Sequence, residues 1–429
     1  MQLHPSPSTS QDQEEGSLPD RRAPRTQRIG ALLQSLVAVL LITVLVAGFL
    51  FLIAARRGGL GGFIPQVPAI AQTPGRVVAL SGDGVISTLD ARTGKILWSY
   101  ETHQQVINEE VGLVVHDQVV YSLINGQVYV LRVKDGSPLW HFDVHLTPPT
   151  YYAFNERLLV DQGVVFVGEI SGQIKDLHGA VYALRASDGK FLWKYASTVY
   201  SLLAAKNGIA YVRALDDKSS TWKLQALRAT DGNVLWSINV EANSAVVANN
   251  TVYALSVESS HRVQVSLKAI KHGSVLWSKS ISANPLEDRP YLSQAELIAG
   301  GNGQFCAYRM SDGTQEWCTH QANSGTSGAP PAGLPYPDAV IANDELYSVA
   351  GSSSGLEIAS YQLKNGNLRW SRQFSNVDAR TVPSFPRPVV TSNVVAASFG
   401  GKVITLRSSD GHELWQTELP DVQILATES

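Results

Sequence analysis

The sequence predicts an all-β fold, an eight-bladed β-propeller of four-stranded antiparallel blades preceded by one transmembrane α-helix. Three observations carry the propeller. A glycine followed four residues later by a tryptophan recurs eight times, as Gly94/Trp98, Gly136/Trp140, Gly189/Trp193, Gly232/Trp236, Gly273/Trp277, Gly313/Trp317, Gly366/Trp370 and Gly411/Trp415. Eight of the 9 tryptophans are thus in fixed phase with a glycine, where tryptophans that merely fill a core would be scattered. Each glycine also separates two β-type segments, such as Ala180-Val-Tyr-Ala-Leu184 and Phe191-Leu-Trp-Lys-Tyr195, so each copy reads as a hairpin whose tight turn needs a positive φ. Successive tryptophans lie 42, 53, 43, 41, 40, 53 and 45 residues apart, the length of a four-stranded blade.

Taken in order, residues 1–28 are rich in Ser, Pro, Gln and charge and predict a disordered cytoplasmic tail. Residues 29–55 carry no charge. A helix of that length reaches about 40 Å, more than the roughly 30 Å hydrocarbon layer, so the segment is expected to be a transmembrane signal anchor. Arg21, Arg22, Arg25 and Arg28 precede it and only Arg56 and Arg57 closely follow, which places the N-terminus in the cytoplasm and the propeller outside the cell membrane. A cleaved signal peptide is the competing reading, because Ala69-Ile-Ala71 resembles a cleavage site; the apolar run is about twice the usual length for that. Residues 56–75, rich in Gly and Pro, read as a flexible linker.

The propeller is expected over residues 76–429. One complete unit reads Leu158-Leu-Val as strand a, Val164-Val-Phe-Val167 as b, Ala180 to Leu184 as c and Phe191 to Tyr195 as d. The first unit opens on Val77-Val-Ala-Leu80, a strand b without a strand a, while Val422-Gln-Ile-Leu-Ala426 after the last tryptophan has the pattern of a strand a. The C-terminus is therefore expected to complete the first blade and remove the open edges of the ring.

Segments such as Val181-Tyr-Ala-Leu-Arg-Ala-Ser-Asp-Gly-Lys-Phe-Leu-Trp193 resemble the pyrrolo-quinoline quinone (PQQ) repeat. That is the blade unit of quinoprotein alcohol dehydrogenases and of a non-catalytic branch that includes the propeller-type outer-membrane assembly lipoprotein. The resemblance implies a girdle in which each of Trp98, Trp140, Trp193, Trp236, Trp277, Trp317, Trp370 and Trp415 packs on a small residue six positions before its own glycine and on the glycine peptide of the next blade. Ala183, Ala226, Ala307 and Ser360 suit that position, as do Thr88 and Thr405; Val130 and Leu267 depart from it, and the fifth unit reads as carrying one extra residue before Gly273. Where the family has an aspartate four positions before the glycine, this chain keeps only Asp90 and puts Arg132, Arg185, Arg228, Arg309 and Arg407 in five units. These arginines read as solvated hairpin residues, with an anionic partner as the alternative.

Catalytic relatives imply a catalytic aspartate, a calcium or lanthanide ion and often a disulfide between adjacent cysteines. This chain has no adjacent cysteines and no kinase, P-loop or nucleophile-elbow motif. The expectation is a binding or scaffold module for a protein or cell-envelope ligand rather than an enzyme, with no catalytic or metal residues and no cofactor. The alternative is a PQQ-dependent quinoprotein dehydrogenase, which would need PQQ with calcium. A net charge of −3 gives no electrostatic case for nucleic acid.

All variation in unit length falls in the b-to-c and d-to-next-a connections, on one face of the ring, and loops on a rigid scaffold are common carriers of recognition. The candidate binding face comprises Tyr151, Tyr152, Asp176, Trp222, Arg289, Tyr336 and Arg387, aromatic and arginine residues being frequent at binding hot spots. Asp216, Asp217 and Glu357 lie on the same face and, with Asp176, could converge into a calcium site. The 2 cysteines, Cys306 and Cys318, flank the Asp312-Gly313 turn. If Met310 pairs with Thr314, the same register sets them opposite one another and within disulfide range, two buried thiols being the alternative.

Overall fold

The structure, a computed structural model, describes residues 75–427 apart from 107–110, 145–157, 172–177, 198, 217, 259–263, 284–288, 302–303, 320–337, 353–354, 376–386, 400 and 420. Among the described residues no helix is long and apolar enough to cross a membrane. The expected tail, anchor and all but the last residue of the expected linker lie outside them, as do Tyr151, Tyr152, Asp176, Asp217 and Tyr336.

Eight four-stranded antiparallel sheets follow one another along the chain. Blade 3 runs Leu158–Asp161, Val164–Ser171, His178–Arg185 and Phe191–Ser197 as strands a to d, and the other blades repeat this order. Blade 1 is the exception in sequence only. Its b, c and d strands are Arg76–Ser81, Val85–Asp90 and Ile96–Glu101, and its strand a is the C-terminal Val422–Thr427, which pairs antiparallel with Arg76–Ser81. This closure ties residue 77 to residue 427 and leaves no blade incomplete.

Burial follows the distance from the axis. Strand b is almost wholly buried, as in Val394–Phe399, because both of its faces meet neighbouring blades. Strand d at the rim alternates between exposed and half-buried, as in Ile96–Glu101. The core is divided into eight apolar clusters, each shared by two adjacent blades. One joins Phe166, Val181 and Trp193 of blade 3 to Leu202, Val212 and Leu227 of blade 4; another closes the ring by joining Val394 and Val403 of blade 8 to Val77 and Leu89 of blade 1.

The tryptophans stand at these seams. A Cβ on Gly232 would come within 2.8 Å of the Trp193 ring, and one on Gly94 within 2.6 Å of Trp415, the contact that closes the circle. All eight turn glycines have φ between 67° and 76°, so the bare Cα serves both the turn and the close approach of the indole. Six indoles also donate across the seam to a backbone carbonyl three residues before the next glycine: Trp98 to Val133, Trp140 to Ala186, Trp193 to Ala229, Trp277 to Met310, Trp370 to Ser408 and Trp415 to Ala91, all at 2.7–2.9 Å.

Three expectations need correction. The fifth unit has no extra residue. Its c–d turn is two residues shorter than the others, a two-residue loop of His272 and Gly273 with Lys271 paired to Ser274, so Ala269 and not Leu267 faces Trp277. Trp222, expected in a loop connection, lies instead in strand Thr221–Arg228, which pairs with strand Ile209–Asp216. Around Gly313, Arg309 rather than Met310 closes the turn, its N–H donating to Thr314 O at 2.8 Å. A bulge between Ala307 and Tyr308 then shifts the register by one, which sets Ala307 opposite Trp317 and Cys306 opposite Cys318. The two sulfurs are bonded.

The five arginines have a local explanation. Each forms an i,i+3 ion pair with the turn aspartate, Arg132 with Asp135, Arg185 with Asp188, Arg228 with Asp231, Arg309 with Asp312 and Arg407 with Asp410, at 2.8–3.8 Å. The same aspartates accept the N–H two residues on, as Asp188 does from Lys190. Blade 1 reverses the arrangement, with Asp90 accepting from the Arg92 and Thr93 N–H groups and the Thr93 hydroxyl. One aspartate per turn suffices, before the turn or within it.

Candidate functional site

Strand a of every blade faces the axis, and together these strands line a central channel of ≈ 660 Å³. Leu113, Leu159, Leu203, Val247, Val340 and Leu425 make its wall apolar, as expected where strands from all blades turn one side to a narrow space. Polar side chains gather towards its ends. Strand a runs from the loop face to the tight-turn face, so residues at its start mark the mouth on the loop face.

Blades 6, 7 and 8 place a cluster at that mouth. Arg289 precedes strand Pro290–Leu292, which holds Tyr291, Asp338 opens strand Asp338–Ala342, and Arg387 precedes strand Val389–Thr391. The Tyr291 hydroxyl donates to Asp338 Oδ1 at 2.7 Å, and Arg387 Nε lies 3.6 Å from the same oxygen. The Ala339 N–H donates to that oxygen as well, at 2.8 Å. Burial pushes the Asp338 carboxyl up, but the charges of Arg387 and Arg289, the Tyr291 hydroxyl and the Ala339 N–H together hold it below the usual carboxylate range. Burial and the adjacent carboxylate push the Tyr291 phenol well above its ordinary value, so it remains a donor. The result is an ionised aspartate held between two guanidiniums and a phenol, drawn from positions up to 98 residues apart in sequence.

A second arrangement lies on blade 4. Trp222, in strand Thr221–Arg228, stacks beneath Arg213 of the adjacent strand Ile209–Asp216, whose guanidinium carbon is 3.8 Å from the ring centroid. Arg213 also forms an ion pair with Glu241, in the connection to blade 5. Beyond it, Asp216 pairs with Lys223. That hydrogen bond and the Lys218 N–H lower the Asp216 carboxyl to about 2.

Of the residues expected on the binding face, the structure brings Arg289 and Arg387 together at the mouth and puts Trp222 on blade 4. Sequence reading singled out neither Asp338 nor Arg213. Asp338 begins an apolar strand and carries no motif. Among the described residues no three His, Cys, Asp or Glu side chains are grouped as metal ligands. Asp338 is held by arginines, Asp216 by a lysine, and Glu357 faces Gln373 across its sheet, while Asp176 and Asp217, the other two carboxylates of the expected calcium set, lie outside the described residues. The cysteines are likewise not adjacent but bridge strands c and d of blade 6.

Comparison with known proteins places this geometry. Among solved structures, BamB from Moraxella catarrhalis aligns over 77% of this chain and 88% of its own with a TM-score of 0.51 and 15% identity. The dihydro-heme d1 dehydrogenase NirN in complex with DHE aligns over 81% and 74% with a TM-score of 0.60 and 11% identity, and Citrobacter koseri AztD over 82% and 97% with 0.55 and 10%. At such identities the likeness is one of fold. Among curated proteins, a polyvinylalcohol dehydrogenase of Pseudomonas sp is 27% identical over 152 residues, which is 33% of this chain and 23% of that protein. The uncharacterized protein RP232 of Rickettsia prowazekii (strain Madrid E) is 22% identical over 219 residues, 48% of this chain and 49% of that one. The serine/threonine-protein kinase AfsK of Streptomyces griseus is 33% identical over 130 residues, 29% and 15% respectively. The chain therefore spans no more than 49% of the length of any of these three. The family described as outer membrane protein assembly factor BamB matches residues 63–174, 152–289 and 263–426, most of the chain. With eight closed blades and a glycine–tryptophan contact at every seam, the chain belongs to this PQQ-like propeller family.

Proposed function

We propose that the chain is a membrane-anchored, extracytoplasmic propeller that acts as a binding or scaffold module for a protein or cell-envelope ligand, engaged on the loop face. The observation that carries the reading is the mouth cluster, where three blades combine two arginines, a tyrosine and an ionised aspartate on one rim. Arginine and tyrosine are the side chains that most often anchor interfaces, and here a rigid ring holds them in place. Membership of a family described as an assembly factor supports a protein partner. The uncharged run of residues 29–55 supports the anchor.

The test is site-specific photo-crosslinking of the full chain in cells. A crosslinking side chain at Arg387 or Trp222 should label one discrete envelope component, and the same probe at Lys190 or Lys364 on the tight turns should not. Equal labelling at the two faces would refute engagement through the loop face. Deleting residues 29–55 should release the protein from membranes; retention would refute the anchor.

The likeness to a polyvinylalcohol dehydrogenase favours a second reading, a PQQ-dependent dehydrogenase using calcium. Of the carboxylates expected to hold calcium, Asp216 is already paired with Lys223. Supplied with PQQ and calcium or a lanthanide, the full chain should neither develop a quinone absorbance nor reduce a dye with alcohols or sugars. Both signals, abolished together by substituting one loop-face carboxylate, would establish the enzyme instead.

A further inference from the structure

Blade 5 differs from its neighbours at the rim in four ways. Its outer strand, Ser274–Ile281, is eight residues long, the longest d strand among the described residues, and is the last strand of its sheet. Leu276 on it is 57% exposed, the highest value among the exposed large apolar side chains, and Val275 beside it is 43% exposed. The short His272–Gly273 turn loosens the seam with blade 4: a Cβ on Gly273 would stay 3.4 Å from Trp236, where the other seven glycines would clash at 2.4–2.8 Å. On the blade 4 side of the seam Val234 and Leu235 are also exposed. Finally, the hairpin from Val265 to Ile281 holds three lysines and no carboxylate, whereas every other c–d hairpin carries at least one Asp or Glu. Lys268 is met by Glu258 at 2.6 Å; among the described residues neither Lys271 nor Lys279 has an ion-pair partner.

We infer that the edge of blade 5 receives an extended, acidic and aliphatic segment of a partner protein, added as a fifth strand alongside Ser274–Ile281. A terminal strand presents one unsatisfied row of backbone donors and acceptors, which an extended segment can pair. Aliphatic side chains of that segment would cover Val275 and Leu276, and its carboxylates would meet Lys271 and Lys279. The lysines disfavour a second copy of this chain at the same edge, because two such strands would bring like charges together. The proposal rests on the binding-module reading but not on the mouth cluster, so the two surfaces can fail separately.

The probe is a synthetic heptapeptide alternating Glu and Val, with a Lys and Val version as its control. Hydrogen exchange of the full chain in detergent is followed by mass spectrometry. The acidic peptide should slow exchange several-fold across Ser274–Ile281 and leave the outer strand Phe191–Ser197 unchanged. Leu276→Asp should abolish the protection, and the double variant Lys271→Glu, Lys279→Glu should transfer it to the basic peptide. These positions are exposed, so an unchanged melting temperature separates a lost surface from a lost fold. No protection, equal protection at every outer strand, or indifference to peptide charge would overturn the proposal. Protection that rises with protein concentration in the absence of peptide would assign the edge to self-association and overturn it too.

Discussion

The two faces of the ring solve opposite problems. On the tight-turn face, six blades repeat one hairpin with an aspartate or asparagine in its turn, blade 1 keeps Asp90 just before its turn, and all eight offer a glycine to the preceding blade's tryptophan. On the loop face the described residues differ between blades: blades 6 to 8 build a charged cluster, and blade 4 stacks Arg213 on Trp222. Ring closure requires each seam to accept the same rotation, so one face is held to a single geometry. The other face is released from it and is where function can differ from relatives that share the fold.

The sharpest test of that division is to remove one tryptophan from each class. Trp193→Ala should cost roughly 3 to 5 kcal/mol, because it empties a buried seam and breaks the bond to Ala229 O. Trp222→Ala should cost only about 1 kcal/mol, the scale of a partly exposed cation–π stack. Equal losses in melting temperature would erase the distinction. The seams themselves can be graded. Gly232→Ala strains a φ of 71° and drives a methyl into Trp193, for roughly 2 to 4 kcal/mol. Gly273→Ala meets only the φ penalty at the loose seam and should cost about 1 kcal/mol, so a loss as large as that of Gly232→Ala would show that the seam of blades 4 and 5 is not loose.

Blade 6 has the shortest outer strand among the described residues, Gln315–Cys318, and there a covalent link supplements the ladder. Replacing Cys306 and Cys318 by serine should cost roughly 2 to 3 kcal/mol. Intact-mass analysis of the unreduced wild type should find no alkylatable thiol; two would refute the bond.

The loop face should show itself by pH. Asp338 has a folded pKa below its unfolded value of about 3.9, so its stabilising contribution is complete above that value and is lost as pH falls through the folded one. Asp338→Asn should therefore melt earlier than wild type at neutral pH and converge with it under acid. A difference that persists unchanged at low pH would assign the loss to packing. The smallest effect expected is on the tight turns. Arg185→Ala, which removes one half-exposed ion pair, should change stability by less than about 1 kcal/mol, and a larger loss would mean that the arginines do more than bridge their turns.

What could be read from the sequence had a short period or a fixed phase. The eight hairpins were legible because turn glycine and tryptophan are four residues apart, and the completion of blade 1 because Val422-Gln-Ile-Leu-Ala426 repeats the apolar pattern of other a strands. The same method misjudged blade 5, since counting back from Gly273 assumes a constant turn length and the turn is two residues shorter. It placed the five arginines on solvated hairpins without naming the partner that each has three residues away, because hairpin conformation decides whether such a pair can meet. Of the mouth cluster it placed Arg289 and Arg387 on one face, but not beside each other or beside Asp338. Arg289, Asp338 and Arg387 lie on three different blades, and only the angle through which each blade turns from the last brings their strand ends to one rim. Sequence alone thus determined the repeating unit and its number, because local hydrogen bonding and side-chain phase act over a few residues. Tertiary structure alone decided which charges face one another, because in a closed ring proximity at the axis is set by rotation between blades and not by distance along the chain.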